Sequence, residues 1–597
     1  MAAIESKDET VSGVFKDFYV VPNYQREYVW GEAEVDQLLK DIRTEQAEGA
    51  DAEYFIGSIV VCPRPDGAFD LIDGQQRTTT LFVILCAIRD HLIAIGDAGT
   101  ESIKKLIADT ITDLNGNDSF RARLDPQYED AGDVFEKLVA GSAPAVTGTR
   151  SMKNVATAYK TARDFLSEEF GTDPQAAKAF YGYLVHRVKL IRIRTDSIAR
   201  ALKIFETIND RGVGLDAMDL LKNLLFMQTD PAKFDRLKDR WKALTDALYK
   251  AGEKPLRFLR YYVFATYGVT KLREDELYNW FVKNEKLVRF SSDPIAFVDR
   301  LQDALSAYLN FLKGLGRDGK ESPAVQSISL LAGGSTRQHL ILLLAGRDLP
   351  PAIFDALCAD AEALLFTYLV TRQTNREFEV MFPDWAPGLA ALRTIDDYEP
   401  FAKETLRKRR RELAARFHRE FAVLDGSTLR QYQLRYILGK LTQHVDRAAY
   451  GQSSQSSMWL SRYCDGANVH IEHILPQSPD DEVRAEFGEG ADSPTLLWSI
   501  GNLALAEKSI NTSLGRRPFS YKRTIYPKSQ YLLTRVLGEK PDIGQTAIDR
   551  AVAAMKPFET WSRADIAQRA EWLSDLAAET WSIPAAEDSM AETAVPA

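Results

Sequence analysis

The chain has 597 residues, of which 45% are hydrophobic and 27% charged, and its formal net charge is −10. This length predicts two to four domains, and the composition is that of a globular protein. No run approaches the roughly 18 apolar residues of a transmembrane helix, and the first residues do not resemble a secretion signal. The four scattered cysteines fit a reducing compartment, so we expect a cytoplasmic protein that does not contact membranes. The acidic balance still leaves room for a local basic groove.

The first 225 residues predict a mixed α/β domain. After an aromatic, turn-rich start and an amphipathic helix, the pattern predicts strands at Tyr54–Cys62 and Ala68–Asp73. A polar turn then leads into an apolar helix that begins at about Thr78. Alternating residues at Val188–Thr195 predict a further strand.

The rest of the chain predicts a helical connecting domain, a domain of short strands and turns, and a disordered tail. Helical periodicity dominates residues 226–455, with a loop expected at Trp385–Gly388. Residues 456–584 change to short strands and end in an amphipathic helix. The acidic, alanine-rich stretch 585–597 has the composition of a disordered tail.

A group of histidine, carboxylate and amide residues lies in the third domain. On an extended segment His470 and Glu472 share one face and His473 points to the other. Asn502 and Asn511 follow. A neutral histidine can take a proton from water, and carboxylate and amide oxygens suit Mg²⁺ or Mn²⁺. Each of these residues taken alone is more simply a hydrogen-bonded strand or turn residue, but their order together predicts phosphodiester hydrolysis.

A basic stretch follows this group, and its charges suit the DNA backbone without reading sequence. The residues are Arg516, Arg517, Lys522, Arg523 and Lys528.

A second group lies at the turn Asp73-Gly-Gln-Gln-Arg77, between a predicted strand and helix. A helix start offers backbone N–H groups to an anion, and the Arg77 guanidinium suits phosphate. A capped helix with a solvated arginine explains the pattern equally well. The segment Val21–Trp30 gathers aromatic residues around a proline turn. It is either a loop packed on the core or a recognition segment.

The C-terminal segments HIEHILPQ, IGNLAL and NTSLGRRPFSYKR resemble the HNH nuclease domain of GmrSD-type restriction enzymes, which has a ββα-metal fold. The resemblance implies that His473 is the general base and Glu472 a metal ligand. It implies Asn511 as the second ligand and Asn502 as the residue that positions the loop carrying the base, although these two roles are exchangeable. His470 is either a further ligand or a phosphate contact.

The N-terminal turn, the aromatic segment and the stretch FETINDRGVGLDAMDLLKN at 205–223 resemble the sensor half of the same family, in its single-chain form. This implies an α+β multidomain chain with a ParB/sulfiredoxin-like N-terminal domain that binds and hydrolyses GTP or another NTP. The implied nucleotide-binding residues are Asp73, Gly74, Gln75, Gln76, Arg77, Thr78, Asn209, Arg211 and Lys222, with Asp219 and Asn223 close by. The implied modification-sensing residues are Tyr24, Gln25, Arg26, Tyr28 and Trp30.

The leading hypothesis is therefore a modification-dependent DNA endonuclease or nickase of bacterial anti-phage defence. Its substrate would carry phosphorothioate or glucosylated hydroxymethylcytosine, its cofactors would be Mg²⁺ or Mn²⁺ and an NTP, and homo-oligomerisation is left open. One alternative is an NTP-dependent DNA-binding switch with a degenerate nuclease domain. The other is a nuclease that cuts RNA or unmodified DNA.

Overall fold

The computed structural model forms two compact units, which are described separately: residues 1–246 with 277–299, and residues 247–276 with 300–597. The predicted domain boundaries after residues 225 and 455 stay predictions. Among the described helices, none combines the length and the hydrophobicity of a membrane-spanning segment. The structure describes residues 5–22, 27–49, 51–97, 99–112, 118–127, 131–147, 149–196, 217–334, 336–451, 459–540, 553, 555 and 557–585.

The first unit contains a six-stranded mixed sheet with the order β1-β8-β3-β4-β2-β7. The pairs β1–β8 and β3–β4 are antiparallel, and the others are parallel. All three strands expected from the sequence are present within one residue of their predicted ends. The strands are β1 Glu5–Thr10, β2 Tyr19–Val21, β3 Tyr54–Pro63, β4 Phe69–Asp73, β7 Leu124–Pro126 and β8 Val188–Arg194, with β5 Ala108–Thr112 and β6 Asp118–Ala122 forming a separate pair.

The long helix α3 is the centre of the first unit's core. Buried residues surround its axis, as expected for a helix packed on every side. It begins at Gln75, because Gly74 adopts the left-handed conformation (φ +82°) that turns the chain from β4 into the helix. The helices up to residue 312 are α1 Val11–Val14, α2 Glu32–Glu48, α3 Gln75–Ala94, α4 Glu101–Ile107, α5 Ala131–Ala140, α6 Arg150–Phe170, α7 Pro174–His186, α8 Ala217–Met227, α9 Phe234–Lys250, α10 Pro255–Tyr267, α11 Leu277–Lys283, α12 Glu285–Val288 and α13 Pro294–Leu312.

The expected helical middle is confirmed, with one error. The predicted loop at Trp385–Gly388 is wrong, because these residues lie inside a helix that contains Pro383 and Pro387. Burial of Phe382, Ala386 and Leu389 outweighs the lost proline N–H groups. The following helices are α14 Pro323–Ala332, α15 His339–Ala345, α16 Pro351–Val370, α17 Phe378–Ala391, α18 Ile395–Glu404, α19 Leu406–Ala422 and α20 Gln431–Tyr450.

The last part of the second unit is built on an antiparallel strand pair followed directly by a helix. β9 (Val469–His473) pairs with β10 (Leu503–Glu507), so that His473 lies opposite Leu503 and His470 opposite Ala506. The helix α24 (Lys508–Leu514) starts at the end of β10. The remaining helices are α21 Leu460–Tyr463, α22 Asp481–Phe487, α23 Pro494–Leu497, α25 Phe519–Lys522, α26 Leu532–Arg535 and α27 Arg563–Thr580, the last confirming the expected closing helix.

Candidate functional site

The strand pair and α24 bring His470 and Asn511 into contact. His470 Nδ1 lies 3.4 Å from Asn511 Nδ2, although the residues are 41 positions apart in the chain. β9 places His470 on the face toward α24, and Asn511 lies on the second turn of that helix. Both side chains are half-buried, so a ligand can reach them.

His473 ends β9 and is held neutral by its surroundings. Burial, and to a lesser extent the charge of Lys522, lowers the pKa of His473 to about 4. The imidazole packs edge-on against Trp498, with ring centroids 4.8 Å apart. Gln477 Nε2 donates to His473 Nε2 over 3.1 Å. A neutral imidazole at a strand end, with an exposed glutamine as partner, is suited to accept a proton once a water molecule replaces that amide.

Glu472 is committed to a buried ion pair. It is 5% exposed, and its Oε1 accepts hydrogen bonds from Lys522 Nζ at 2.6 Å and from Tyr526 Oη at 3.1 Å. Burial raises the pKa of the Glu472 carboxyl and lowers that of the Lys522 ammonium, and their mutual attraction opposes both shifts. Lys522 was expected to contact the DNA backbone. With 0% of its surface exposed it cannot do so, because its charge is needed inside the protein.

Asn502 has a structural role. Its side chain is 0% exposed, so it cannot contact a substrate. Its Oδ1 accepts from Leu475 N at 2.7 Å and from Trp561 Nε1 at 3.1 Å. Its Nδ2 donates to the carbonyls of Leu475 and Leu497, each at 3.0 Å. The amide therefore fixes the loop that follows His473. Its assignment among the catalytic residues is corrected to a positioning role, as the resemblance had also allowed.

The donor chemistry around β9 fits a hard divalent cation, but its geometry is only partly assembled. Among the described residues, no group of three or more His, Cys, Asp and Glu side chains is arranged to hold a metal ion. His470 and Asn511 are in contact, and Glu472 lies two residues along the same strand face. A carboxylate and an amide oxygen are ligands that Mg²⁺ and Mn²⁺ prefer. Lys522 is the group that currently satisfies the carboxylate.

The remaining basic residues differ in how available they are. Arg516, Arg517 and Lys528 are exposed, and the Arg517 guanidinium lies over the Tyr521 ring at 5.5 Å. Arg523 instead forms a two-pronged ion pair with Glu559, with both N–O distances 2.9 Å. Arg516 and Arg517 are therefore the better placed of the predicted backbone contacts.

A large open pocket lies beside the strand pair, and nothing in the sequence pattern indicated it. Its volume is about 1360 Å³, and it begins where β9 begins and runs past the outer side of α24. Exposed Arg462 and Lys508 lie among its lining residues, as do Tyr463 and Tyr531, whose rings are 5.6 Å apart. Three acidic residues also line the pocket, and both tyrosines are buried, so its charge is mixed.

In the first unit, side chains of the α3 turn are bonded to the protein itself. Gln76 Oε1 accepts from Val29 N at 2.8 Å and from Trp30 N at 3.3 Å. The Arg77 guanidinium donates to the carbonyls of Ile56 and Ser58 at 3.2 and 2.9 Å. This arrangement accounts for Arg77 without a bound phosphate.

The other members of the turn are also engaged. Thr78, fully buried, donates to the Gly74 carbonyl at 3.0 Å. Asp73 Oδ1 accepts from Gly74 N at 2.6 Å, and Gln75 is buried. These contacts shape the helix start and leave its backbone N–H groups as the feature that suits an anion.

The predicted sensing residues that the structure describes are also internal. Tyr28 is buried and its hydroxyl lies 2.8 Å from Thr80 Oγ1, while Trp30 packs partly buried against the core. Lys222 lies on α8, half-buried, and Asn223 is buried beside it. Outside the described residues lie Tyr24, Gln25, Arg26, Asn209 and Arg211.

Sequence reasoning missed Tyr526, Trp498 and Arg569 as parts of the C-terminal site. Arg569 Nη1 donates to the carbonyls of Gly501 and Leu503, at 2.7 and 2.8 Å, on both sides of Asn502. A signal existed, since Arg569 falls at a core-facing position of an amphipathic helix, where a charge needs a specific partner.

Comparisons with protein families identify the class. Residues 7–226 match the family described as the GmrSD restriction endonuclease N-terminal domain, and residues 414–576 match the GmrSD restriction endonucleases C-terminal domain. The protein is thus a restriction endonuclease, an enzyme that acts on DNA. More specifically, the chain belongs to the GmrSD restriction endonuclease family. In the comparison with curated proteins, none matches the chain.

Proposed function

We propose that this restriction endonuclease cuts DNA at the β9–β10–α24 element through an HNH-type mechanism. The observation that carries the proposal is that one strand pair and one helix bring His470 and Asn511 into contact, while His473, at the end of the same strand, has a pKa lowered to about 4. Glu472 and Asn511 would hold Mg²⁺ or Mn²⁺, with His470 alongside as a further ligand or phosphate contact. When bound, the cation would neutralise charge on the scissile phosphate and on the leaving oxygen.

The protein's own residues divide the remaining work. His473 takes a proton from the attacking water. Asn502 and Arg569 hold the chain on both sides so that the imidazole keeps its direction. The exposed Arg516 and Arg517 contact the DNA backbone.

We further propose that the start of α3 binds an NTP, with GTP as the first candidate. The phosphates would meet the backbone N–H groups of the helix start, since the Arg77 and Thr78 side chains are engaged within the protein. Gln76 connects this turn to the chain at 29–30, and Tyr28 connects it to Thr80. In this proposal, a conformational change of the aromatic segment Val21–Trp30 on contact with modified DNA is transmitted to the nucleotide site through these hydrogen bonds. Lys222, Asn209 and Arg211 are the further proposed nucleotide-binding residues.

The proposed substrate is modified foreign DNA, which bacterial anti-phage defence would cut or nick in the cytoplasm. The test is cleavage of three matched plasmids: unmodified, phosphorothioate-containing and glucosylated. Each is incubated with Mg²⁺ or Mn²⁺, with and without GTP. Cutting restricted to one modified plasmid identifies the sensed mark. Equal cutting of all three plasmids would support the nuclease activity but contradict modification sensing. A parallel assay with an RNA substrate tests the alternative that the nuclease cuts RNA.

The second candidate function is an NTP-dependent DNA-binding switch with a degenerate nuclease domain. The observation that favours it is the Glu472–Lys522 ion pair, which occupies one of the two proposed metal ligands. Purified wild-type protein that binds DNA yet leaves every plasmid intact with both metals would establish this function.

A further inference from the structure

The buried ion pair Glu472–Lys522 has a hydrogen-bond acceptor for every proton of the ammonium. Lys522 Nζ has three acceptors: Glu472 Oε1 at 2.6 Å, the His473 carbonyl at 2.8 Å and the Ile474 carbonyl at 3.3 Å. An ammonium has three protons, so each has a partner. Tyr526, itself fully buried, adds a further donor to the carboxylate. A charge removed from water to this extent requires compensation, and Lys522 supplies it for Glu472.

The position of the pair connects it to the reaction site. Glu472 lies two residues from His470 on the face that contacts Asn511, and it directly precedes His473. Lys522 also holds the carbonyls of the two residues after Glu472, so one ammonium fixes both the carboxylate and the backbone that leaves the strand. A cation entering beside Asn511 would meet this carboxylate with the ammonium already bound to it.

We propose that Lys522 is a resident counter-cation of the metal-side carboxylate, which keeps the site assembled without metal and competes with a divalent cation for Glu472. This inference rests on the proposed function, in which Glu472 is a metal ligand. Two like charges close to one carboxylate repel each other, so the ammonium weakens metal binding. Removal of Lys522 makes the protein less stable without metal and more responsive to it.

The test is thermal unfolding of the full chain in chelator and in saturating Mn²⁺. Lys522→Met is expected to lower Tm in chelator by roughly 5 °C or more, since it leaves a buried carboxylate without its partner. Mn²⁺ should recover most of that loss, so its stabilising shift is larger in this variant than in wild type. Lys540→Met, at an exposed lysine outside the proposed DNA-binding and metal-binding residues, is the matched control and should behave as wild type. Equal Mn²⁺ shifts in Lys522→Met and wild type would overturn the proposal.

A double variant keeps the proposal testable if Lys522→Met does not fold. Glu472→Gln/Lys522→Met removes both charges, and is expected to regain much of the Tm lost in the single variant and to show no Mn²⁺ shift. A double variant as unstable as the single one would contradict the ion-pair explanation. These outcomes are independent of catalysis. A larger Mn²⁺ shift in Lys522→Met than in wild type would therefore support the counter-cation even if the protein never cuts DNA, a result that would contradict the proposed nuclease activity.

Discussion

The turn before α3 and the strand pair β9–β10 before α24, called the hairpin below, both connect a strand to a helix. Their side chains have different roles. At the α3 turn, Gln76, Arg77 and Thr78 are bonded to main-chain groups of the protein. At the hairpin, His470 and Asn511 are half-buried and contact each other. At the α3 turn, the groups left to bind a ligand are the backbone N–H groups. At the hairpin, side chains are available to take part in the reaction.

The hairpin itself contains the same division. Asn502 and Lys522 are buried and bonded within the protein, while the half-buried His470, His473 and Asn511 remain accessible. The sequence motif alone therefore does not show whether a residue takes part in the reaction or positions other residues. Burial and hydrogen-bond partners separate the two roles, and the following predictions test that separation.

The largest contrast is expected between the two asparagines. Asn502→Ala leaves four buried polar groups without their partner and should cost about 3–5 kcal/mol of unfolding free energy. Asn511→Ala should change stability by less than about 1 kcal/mol but lower the cleavage rate by at least roughly 10-fold, the smallest loss expected even for a residue that only supports a metal ligand. Denaturant unfolding and plasmid cleavage are measured side by side. Similar stability losses in both variants would contradict the assignment of a structural role to Asn502 and a metal-binding role to Asn511.

A smaller effect is expected at the α3 turn. Arg77→Ala leaves the carbonyls of Ile56 and Ser58 without their donor and should cost about 1–2 kcal/mol in the absence of nucleotide. Gly57→Ala is the companion variant, because a Cβ there would collide with the Arg77 guanidinium while the arginine is retained. Both should lower Tm without nucleotide. Unchanged stability together with lost GTP binding would instead make Arg77 a direct phosphate ligand.

The smallest effects concern the surface arginines. Arg516→Ala and Arg517→Ala should each weaken DNA binding and reduce the slope of log affinity against log salt by about 1, because each removes one phosphate contact. Arg523→Ala should leave the slope unchanged, since Arg523 is paired with Glu559. Titrations at several salt concentrations measure all three slopes. An equal change in Arg523→Ala would show that its ion pair opens on DNA.

Periodicity and motif order located much of this structure in advance. Strands β3, β4 and β8 and the helical middle follow from local patterns, and residues 470–511 were identified as one group from their order. Pattern alone could not show that Lys522 is buried, since a lysine in a basic stretch looks solvated until its partner is known. The helix through Trp385–Gly388 was missed for a similar reason, because packing of distant elements outweighed two prolines.

The measurement that tests the central claim most directly is the rate of metal-dependent DNA cleavage by His473→Ala. If His473 is the general base, the rate should fall by about 10²- to 10⁴-fold while DNA binding and NTP hydrolysis remain near wild type. His186→Ala, an exposed histidine of the first unit, should cut at the wild-type rate. Cleavage by His473→Ala at the wild-type rate would show that the proton is taken elsewhere and that the β9 hairpin is not the reaction centre.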